Sequence, residues 1–172
     1  MKYRNAIALA VLFLLLSSAA YGNPHKIRTE RIVYNNSEYI IYYKYNSGDI
    51  KNSVIDFFDD LYNKEKSTLF HLLNLRDKNE YKIAIAENAD IFSALTGRNW
   101  HTASLIDKQR KILYLQNILS LKKNNMLDRV LRHELCHMSF DESKKENFVL
   151  EESFCEGFSS VDSHKSVIKT NR

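Results

Sequence analysis

Two histidines and a glutamate stand together in the run His133-Glu134-Leu135-Cys136-His137. If this run is helical, His133 and His137 lie one turn apart on the same face, so both imidazoles could bind one zinc ion. Glu134 lies about 100° around the helix from His133, where it could take a proton from a metal-bound water without binding the metal itself. The pattern therefore predicts hydrolysis by a metal-activated water, with His133 and His137 as ligands and Glu134 as general base. The alternative is a pair of surface histidines on an exposed helix.

A catalytic zinc site normally has three protein ligands and one position open to water. The third ligand is therefore expected downstream of the motif. From the residues alone, several candidates remain open: Glu151, Glu152, Glu156, Asp162 and His164.

The spacing after the motif resembles that of gluzincin metallopeptidases of the aminopeptidase-like branch. In that family, eighteen residues separate the motif from a glutamate on a second helix, which faces the first. Residues 138–155 number eighteen and are followed by Glu156. The run Glu156-Gly157-Phe158-Ser159-Ser160 is similar to the E-G-F-A-S run around the family's third ligand. The resemblance implies that Glu156 completes the zinc site with His133 and His137.

The order of the other elements also resembles the compact Peptidase MA-like domain. This resemblance implies a zincin-like fold in which strand 111–116 forms the sheet edge beside the zinc, where a peptide substrate would pair with it. The chain departs from the family at Glu151, Ser153 and Phe154, which occupy places where a proline and a Trp-Leu pair are common. These departures remove neither a ligand nor the base.

Two supporting groups are expected near the metal. An oxyanion-stabilising side chain could be His164, about two helical turns after Glu156; His101 and Tyr114 are alternatives, and we prefer His164. A carboxylate should also orient one of the zinc-bound imidazoles. Its candidates are Asp141, Glu142, Glu152 and Asp162.

The helix that carries the motif has the strongest amphipathic pattern in the chain. Leu127, Leu131, Leu135 and Met138 recur at helical spacing and form one apolar stripe. The pair Asn124-Asn125 precedes this stripe, so we expect one of the two asparagines to be the N-cap.

The remaining pattern predicts an α+β domain. Segments 27–35 and 39–45 are rich in isoleucine, valine and tyrosine and are separated by a polar break, which predicts a β-hairpin. Strands followed by helices are typical of the α+β class, here a small mixed β-sheet packed on helices, including the motif helix and a second ligand helix. We expect helices near 47–61, 67–75, 89–95 and 148–161, and strands at 81–86, 102–106 and 111–116.

The N-terminus has the parts of a secretory signal peptide. Its basic start is followed by the apolar run 6–16, and Ala20-Tyr21-Gly22 places small residues at a cleavage site. We therefore expect residues 1–22 to be removed and residues 23–172 to form one exported domain, periplasmic or secreted. An uncleaved membrane anchor is the alternative, although a span needs roughly 18 apolar residues or more.

Charge and cysteine content narrow the classes of partner. The formal charge is +4, to which Lys2 and Arg4 of the leader contribute, and the other basic residues are scattered. We therefore predict no nucleic-acid partner and no membrane association after cleavage, and we expect a monomer acting on a peptide or protein. Cys136 and Cys155 lie beside predicted ligands; export makes a disulfide possible, and two small buried hydrophobes are the alternative.

The leading hypothesis is an exported Zn²⁺-dependent peptidase. One alternative is a zinc hydrolase that acts on bonds of the cell-wall type. Another is a catalytically silent secreted module that keeps its metal. A closed structural zinc site would need a fourth protein ligand, for which Cys136 is the nearby candidate.

Overall fold

The computed structural model describes residues 26–72, 81–140 and 148–160. The predicted signal peptide 1–22 lies outside these residues. So do four of the candidate site residues: Asp141, Glu142, Asp162 and His164. Within the described ranges, none of the helices combines the length and the apolar character that crossing a membrane requires.

A five-stranded mixed sheet forms the centre of the molecule, in the order β1-β2-β3-β5-β4. Strands β1 and β2 form an antiparallel hairpin, β3 is parallel to both β2 and β5, and β4 returns antiparallel along β5. Helices pack on this sheet, which confirms the predicted α+β class. The strands are β1 (Arg28–Tyr34), β2 (Ser37–Tyr43), β3 (Lys82–Ala86), β4 (Ser104–Asp107) and β5 (Ile112–Leu115).

The predicted hairpin forms around a two-residue turn. Asn35 and Asn36 both have positive φ angles, 46° and 67°. A tight hairpin turn of this kind needs positive φ at both central residues, and asparagine tolerates that conformation better than most side chains. The asparagine pair therefore sets the register that pairs Tyr34 with Ser37.

Helices make up most of the remaining described chain. The predicted separate helix at 67–75 is wrong, because the helix that begins at Gly48 continues to Leu72 and contains no later glycine or proline to interrupt it. The helical segments are α1 (Gly48–Ser53), a π-helical segment (Val54–Phe58), α2 (Asp59–Leu72), α3 (Ala89–Thr96), α4 (Ile118–Lys123), α5 (Leu127–Ser139) and α6 (Phe148–Ser159).

The two faces of the sheet have separate cores because side chains alternate along each strand. Ile83 and Leu113 belong to the larger core, which includes residues of α1, α2, α4 and α5. Ala84 and Tyr114 belong to the smaller core, which includes residues of α3. Helix α5, which carries the His133–His137 motif, therefore packs on the face opposite to Tyr114.

The start of α5 differs from the prediction. The Asn124-Asn125 pair does not cap α5; the residue before the helix is Met126, which makes no side-chain cap. Instead, Asn125 has a φ of 55° and donates its N–H to the carbonyl of Lys122, while the N–H of Met126 binds the carbonyl of Leu121. These are the bonds of a Schellman ending, so the asparagines terminate the additional helix α4.

The apolar stripe of α5 is confirmed. Its four members are buried against the sheet: Leu127, Leu131, Leu135 and Met138. Burial of this stripe fixes the rotation of α5, so that its histidine face is directed away from the larger core.

Candidate metal centre

Three donor side chains from two helices converge at one point. His133 and His137 lie on one face of α5, and their Nε2 atoms are 3.2 Å apart. Glu152 of α6 places Oε1 at 3.4 Å from Nε2 of His133 and Oε2 at 3.2 Å from Nε2 of His137. The ligand-capable atoms of these three residues all lie within 4.8 Å of one another.

The spacing of these donor groups, which form a donor triangle, is compatible with a zinc site. A tetrahedral zinc ion with ligands at about 2.0–2.1 Å holds neighbouring donor atoms about 3.3 Å apart. The two Nε2 atoms, 3.2 Å apart, agree with that value, and Glu152 approaches the imidazoles through different oxygens, Oε1 at 3.4 Å from His133 and Oε2 at 3.2 Å from His137. Two imidazoles and one glutamate are also a donor set of catalytic zinc sites. The residues present therefore fit a zinc ion.

Glu156, the ligand implied by the family resemblance, lies one helical turn beyond Glu152. Its Oε2 is 3.6 Å from Nδ1 of His133 rather than from the Nε2 atom that belongs to the triangle. Its Oε1 pairs with the guanidinium group of Arg129, and the side chain is half exposed. The structure thus brings Glu152 into the donor triangle and places Glu156 immediately beside it.

Glu134 occupies the place expected of a base. Its side chain is buried beside the two histidines, and Oε1 accepts a hydrogen bond of 2.6 Å from the hydroxyl of Ser104 in β4. Burial raises the pKa of Glu134 above its ordinary value, although the hydrogen bond from Ser104 and the neighbouring imidazoles act in the opposite direction. Glu134 lies outside the donor triangle but lines the same cleft.

A carboxylate orients His137, and it is Glu151. Its Oε1 lies 2.7 Å from Nδ1 of His137 and accepts a second bond of 2.7 Å from Nζ of Lys108. Burial alone would raise the pKa of Glu151, but these two partners outweigh burial and hold the pKa below its ordinary value. From the sequence, Glu151 is expected only as a candidate ligand, whereas Glu152 is also a candidate for this orienting role; the structure places Glu151 beside Nδ1 of His137 and Glu152 in the donor triangle. The pairing of Glu151 with Lys108, 43 positions earlier in the chain, cannot be inferred from local spacing.

The donor triangle opens onto a cleft of about 780 Å³. One wall is formed by β4 and the turn that follows it, and the other by the side chains of α5 and α6. The expectation that strand 111–116 forms the edge beside the metal is wrong. Strand β5 lies between β3 and β4, because β4 folds back along its outer side and becomes the edge strand.

Among the described residues, backbone pairing leaves one side of β4 open. Gln116 donates its N–H to the carbonyl of Ala103 at 2.9 Å, which extends the β4–β5 register by one hydrogen-bonded pair. Hydrogen-bonded and non-hydrogen-bonded pairs alternate along an antiparallel ladder. The backbone groups of Leu105 therefore face β5, whereas those of Ser104 and Ile106 face the open edge.

The alternatives for the oxyanion-stabilising residue lie elsewhere. Tyr114 is buried in the smaller core on the opposite face of the sheet. The ring of His101 lies against Trp100 at a tilt of 35°, and His101 is not among the described residues that line the cleft. The preferred candidate, His164, lies outside the described residues and stays a prediction.

A disulfide joins the two helices of the site. Cys136, inside the motif on α5, is bonded to Cys155 on α6, and their Cα atoms are 5.5 Å apart. The two cysteines therefore form a disulfide rather than being two separate buried thiols. Because its sulfur is in a disulfide, Cys136 is not a thiolate ligand for a closed structural zinc site.

Comparison with known proteins adds no family assignment. No protein-family model matches this chain, and no curated protein matches it in sequence.

Proposed function

We propose that this chain is an exported zinc-dependent peptidase of the gluzincin type. The observation that carries the proposal is the convergence of Nε2 of His133, Nε2 of His137 and the carboxylate of Glu152, whose ligand atoms lie within 4.8 Å of one another and face a cleft. Glu134 lines the same cleft without belonging to the triangle. Three protein donors and access to solvent are typical of a catalytic rather than a structural site.

Each residue of the site has a separate task. His133, His137 and Glu152 would hold the zinc ion, which when bound would polarise the scissile carbonyl and acidify a water molecule. Glu134 accepts the proton of the attacking water and delivers it to the leaving amine. The hydroxyl of Ser104 donates to Oε1 of Glu134 and so orients this carboxylate.

The edge strand supports an extended peptide as substrate. Backbone groups of Ser104 and Ile106 face the open side of β4, beside the cleft that contains Glu134. A peptide can add a strand to such an edge through backbone hydrogen bonds, independently of its side chains. The predicted β-augmentation is thus retained in the proposal, with β4 in place of strand 111–116.

The family resemblance supports the same reaction class. Gluzincins combine the two-histidine motif with a glutamate from a second helix, and α6 supplies that glutamate here. The proposal differs from the family spacing in one respect: Glu152 binds the metal, one turn before Glu156. Either glutamate would leave the reaction unchanged, because the base and both imidazoles stay in place.

Zinc content and cleavage, measured together, test the proposed function. Wild-type protein and the Glu134→Gln variant should each bind one zinc ion. Cleavage of a peptide library should fall by about 10²–10⁴-fold in the variant, because a general base contributes that much to the rate. Glu38→Gln is the matched control, since Glu38 pairs with Lys82 elsewhere on the sheet. Unchanged cleavage by Glu134→Gln would rule out the assigned base.

Two further assays separate the alternatives. Digestion of cell-wall fragments in place of peptides would favour the wall-type hydrolase, and zinc binding without cleavage of either substrate would favour the silent module. N-terminal sequencing of protein recovered from the exporting compartment should begin at Asn23, as expected if residues 1–22 are a cleaved signal peptide. A sequence that begins at Met1 would contradict export by cleavage.

A further inference from the structure

Lys108 has an unusual position for a turn lysine. It follows β4 directly, in the turn that leads to β5 at Ile112. The carboxylate of Asp107 accepts the N–H of Arg110 at 2.9 Å, which stabilises this turn. The Arg110 side chain is 73% exposed, whereas that of Lys108 is only 24% exposed. The same turn thus directs one cation to solvent and the other towards α6.

The ammonium group of Lys108 ends at the carboxylate that holds His137. One oxygen, Oε1 of Glu151, lies 2.7 Å from Nζ of Lys108 and 2.7 Å from Nδ1 of His137. An ionised carboxylate only accepts hydrogen bonds, so His137 must donate from Nδ1. The Nε2 atom of His137 then presents its lone pair to the donor triangle, as metal binding requires.

Buried charge explains why the carboxylate needs a cation. Glu151 retains 12% exposure of its side chain, so its negative charge is largely removed from water. Without Lys108, the carboxylate would have to find compensation from the imidazole alone or turn towards solvent. Either change would weaken its hold on the ring of His137.

We propose that Lys108 is a positioning residue of the metal centre, acting through Glu151 to fix the tautomer and orientation of His137. The inference rests on the proposed zinc site and adds a residue from the β4–β5 turn to it. It links the edge strand, where the substrate would pair, to a metal ligand on α5. Lys108 itself contacts neither the donor triangle nor a reacting atom.

Metal affinity is the appropriate measurement, because it does not depend on knowing the substrate. Zinc dissociation constants would be determined by competition with a chromophoric chelator, and the cobalt-substituted protein would be monitored by its visible absorption spectrum. Lys108→Met should bind zinc about tenfold more weakly and alter the cobalt spectrum, since loss of an outer partner typically costs 10–100-fold. Lys108→Arg should restore most of the affinity, because arginine keeps the charge and donates to carboxylates.

Two comparisons show whether Lys108 acts through Glu151. The Lys108→Met/Glu151→Gln double variant should bind zinc no more weakly than Glu151→Gln alone, because both changes break one path. Lys82→Met is the matched control: Lys82 forms a 2.9 Å pair with Glu38 on the same sheet, and its loss should leave zinc affinity unchanged. Near-UV circular dichroism would verify folding, and Lys108→Gln replaces Lys108→Met if the apolar side chain disturbs it.

The possible failures are distinguishable. Wild-type affinity and an unchanged cobalt spectrum in both Lys108→Met and Lys108→Gln would overturn the role of Lys108 while leaving the zinc site intact. Additive losses in the double variant would overturn the path through Glu151. If the wild-type protein bound no zinc, the proposed function would fail, and this inference would fail with it.

Discussion

The two histidines of the candidate metal centre have contrasting surroundings. Nδ1 of His137 lies 2.7 Å from Glu151, which Lys108 holds from the other side. Nδ1 of His133 is buried and has no hydrogen-bond partner among the described residues. The nearest carboxylate to that atom is Glu156, at 3.6 Å and paired with Arg129. One imidazole is therefore firmly positioned, and the other is not.

The contrast indicates which part of the site can adjust when a metal binds. On the His137 side, the partly buried pair of Lys108 and Glu151 joins the turn after β4 to helix α6. On the His133 side, a cavity of about 380 Å³ lies beside Arg129 and Glu156, so both side chains have room to move. The family spacing implies Glu156 as the third ligand, whereas the structure brings Glu152 into the donor triangle. Glu156, the residue on which they differ, lies on this adjustable side.

Removing the third ligand should have the largest effect. Glu152→Gln should weaken zinc binding by on the order of a hundredfold to a thousandfold, since each ligand carries a large share of the total binding energy. Glu156→Gln should weaken it by less than about tenfold, as expected for a neighbouring carboxylate. Isothermal or competition titration of both variants measures the difference. The reverse ranking would show that Glu156 is the ligand and that the adjustable side closes on the metal.

Removing the disulfide should have the second-largest effect. Replacing both Cys136 and Cys155 by alanine should lower the free energy of unfolding by roughly 3 kcal/mol, because the bond closes a loop between residues 19 positions apart. The midpoint temperature of thermal unfolding should fall by about 6–12 °C for a domain of this size. Zinc binding should also weaken, because the bond holds α6, and with it Glu152, against α5. Unchanged zinc affinity would show that packing alone aligns the two helices.

Arg129→Met tests the His133 side, where the imidazole is less firmly positioned. The Arg129 and Glu156 side chains are 58% and 52% exposed, and exposed pairs contribute little. Zinc affinity should therefore change by less than about threefold, clearly less than for Lys108→Met. Measuring both variants in one titration series provides the test. An equal loss in both would abolish the distinction between the two sides.

The smallest effect on zinc binding is expected at Ser104, which contacts the proposed base. Ser104→Ala removes the 2.6 Å hydrogen bond to Glu134 without touching the donor triangle. We expect kcat to fall by roughly tenfold to a hundredfold, as for a lost hydrogen bond to a charged group, and zinc content to stay at the wild-type level. Steady-state kinetics on a cleaved peptide would measure this, with zinc content as the control. A loss of zinc would show that Ser104 supports the metal itself.

Local patterns in the sequence predicted elements that position the candidate site. The apolar stripe of α5 is set by helical periodicity, and the hairpin by two adjacent asparagines, so both are visible in short stretches of chain. The Asn124-Asn125 pair was misassigned for the same local reason. An asparagine can begin a helix or end one, and only the bonds to Lys122 and Leu121 decide between these roles.

Long-range arrangement could not be predicted in the same way. The edge position of β4 depends on the order of the strands in the sheet. The residues of β4 and β5 alone do not determine that order. The support of His137 by Glu151 depends on Lys108, 43 positions away. The rotation of α6, which decides between Glu152 and Glu156, depends on its packing against α5 and on the disulfide. These features belong to the folded molecule rather than to any segment of it.

The most direct measurement is an anomalous-scattering map, collected at the zinc edge, from crystals of the zinc-loaded protein. The predicted result is one zinc ion at about 2.0–2.2 Å from Nε2 of His133, Nε2 of His137 and an oxygen of Glu152, with Glu134 uncoordinated. A crystal that takes up no zinc at these side chains, or a zinc ion enclosed by four protein ligands, would contradict the account.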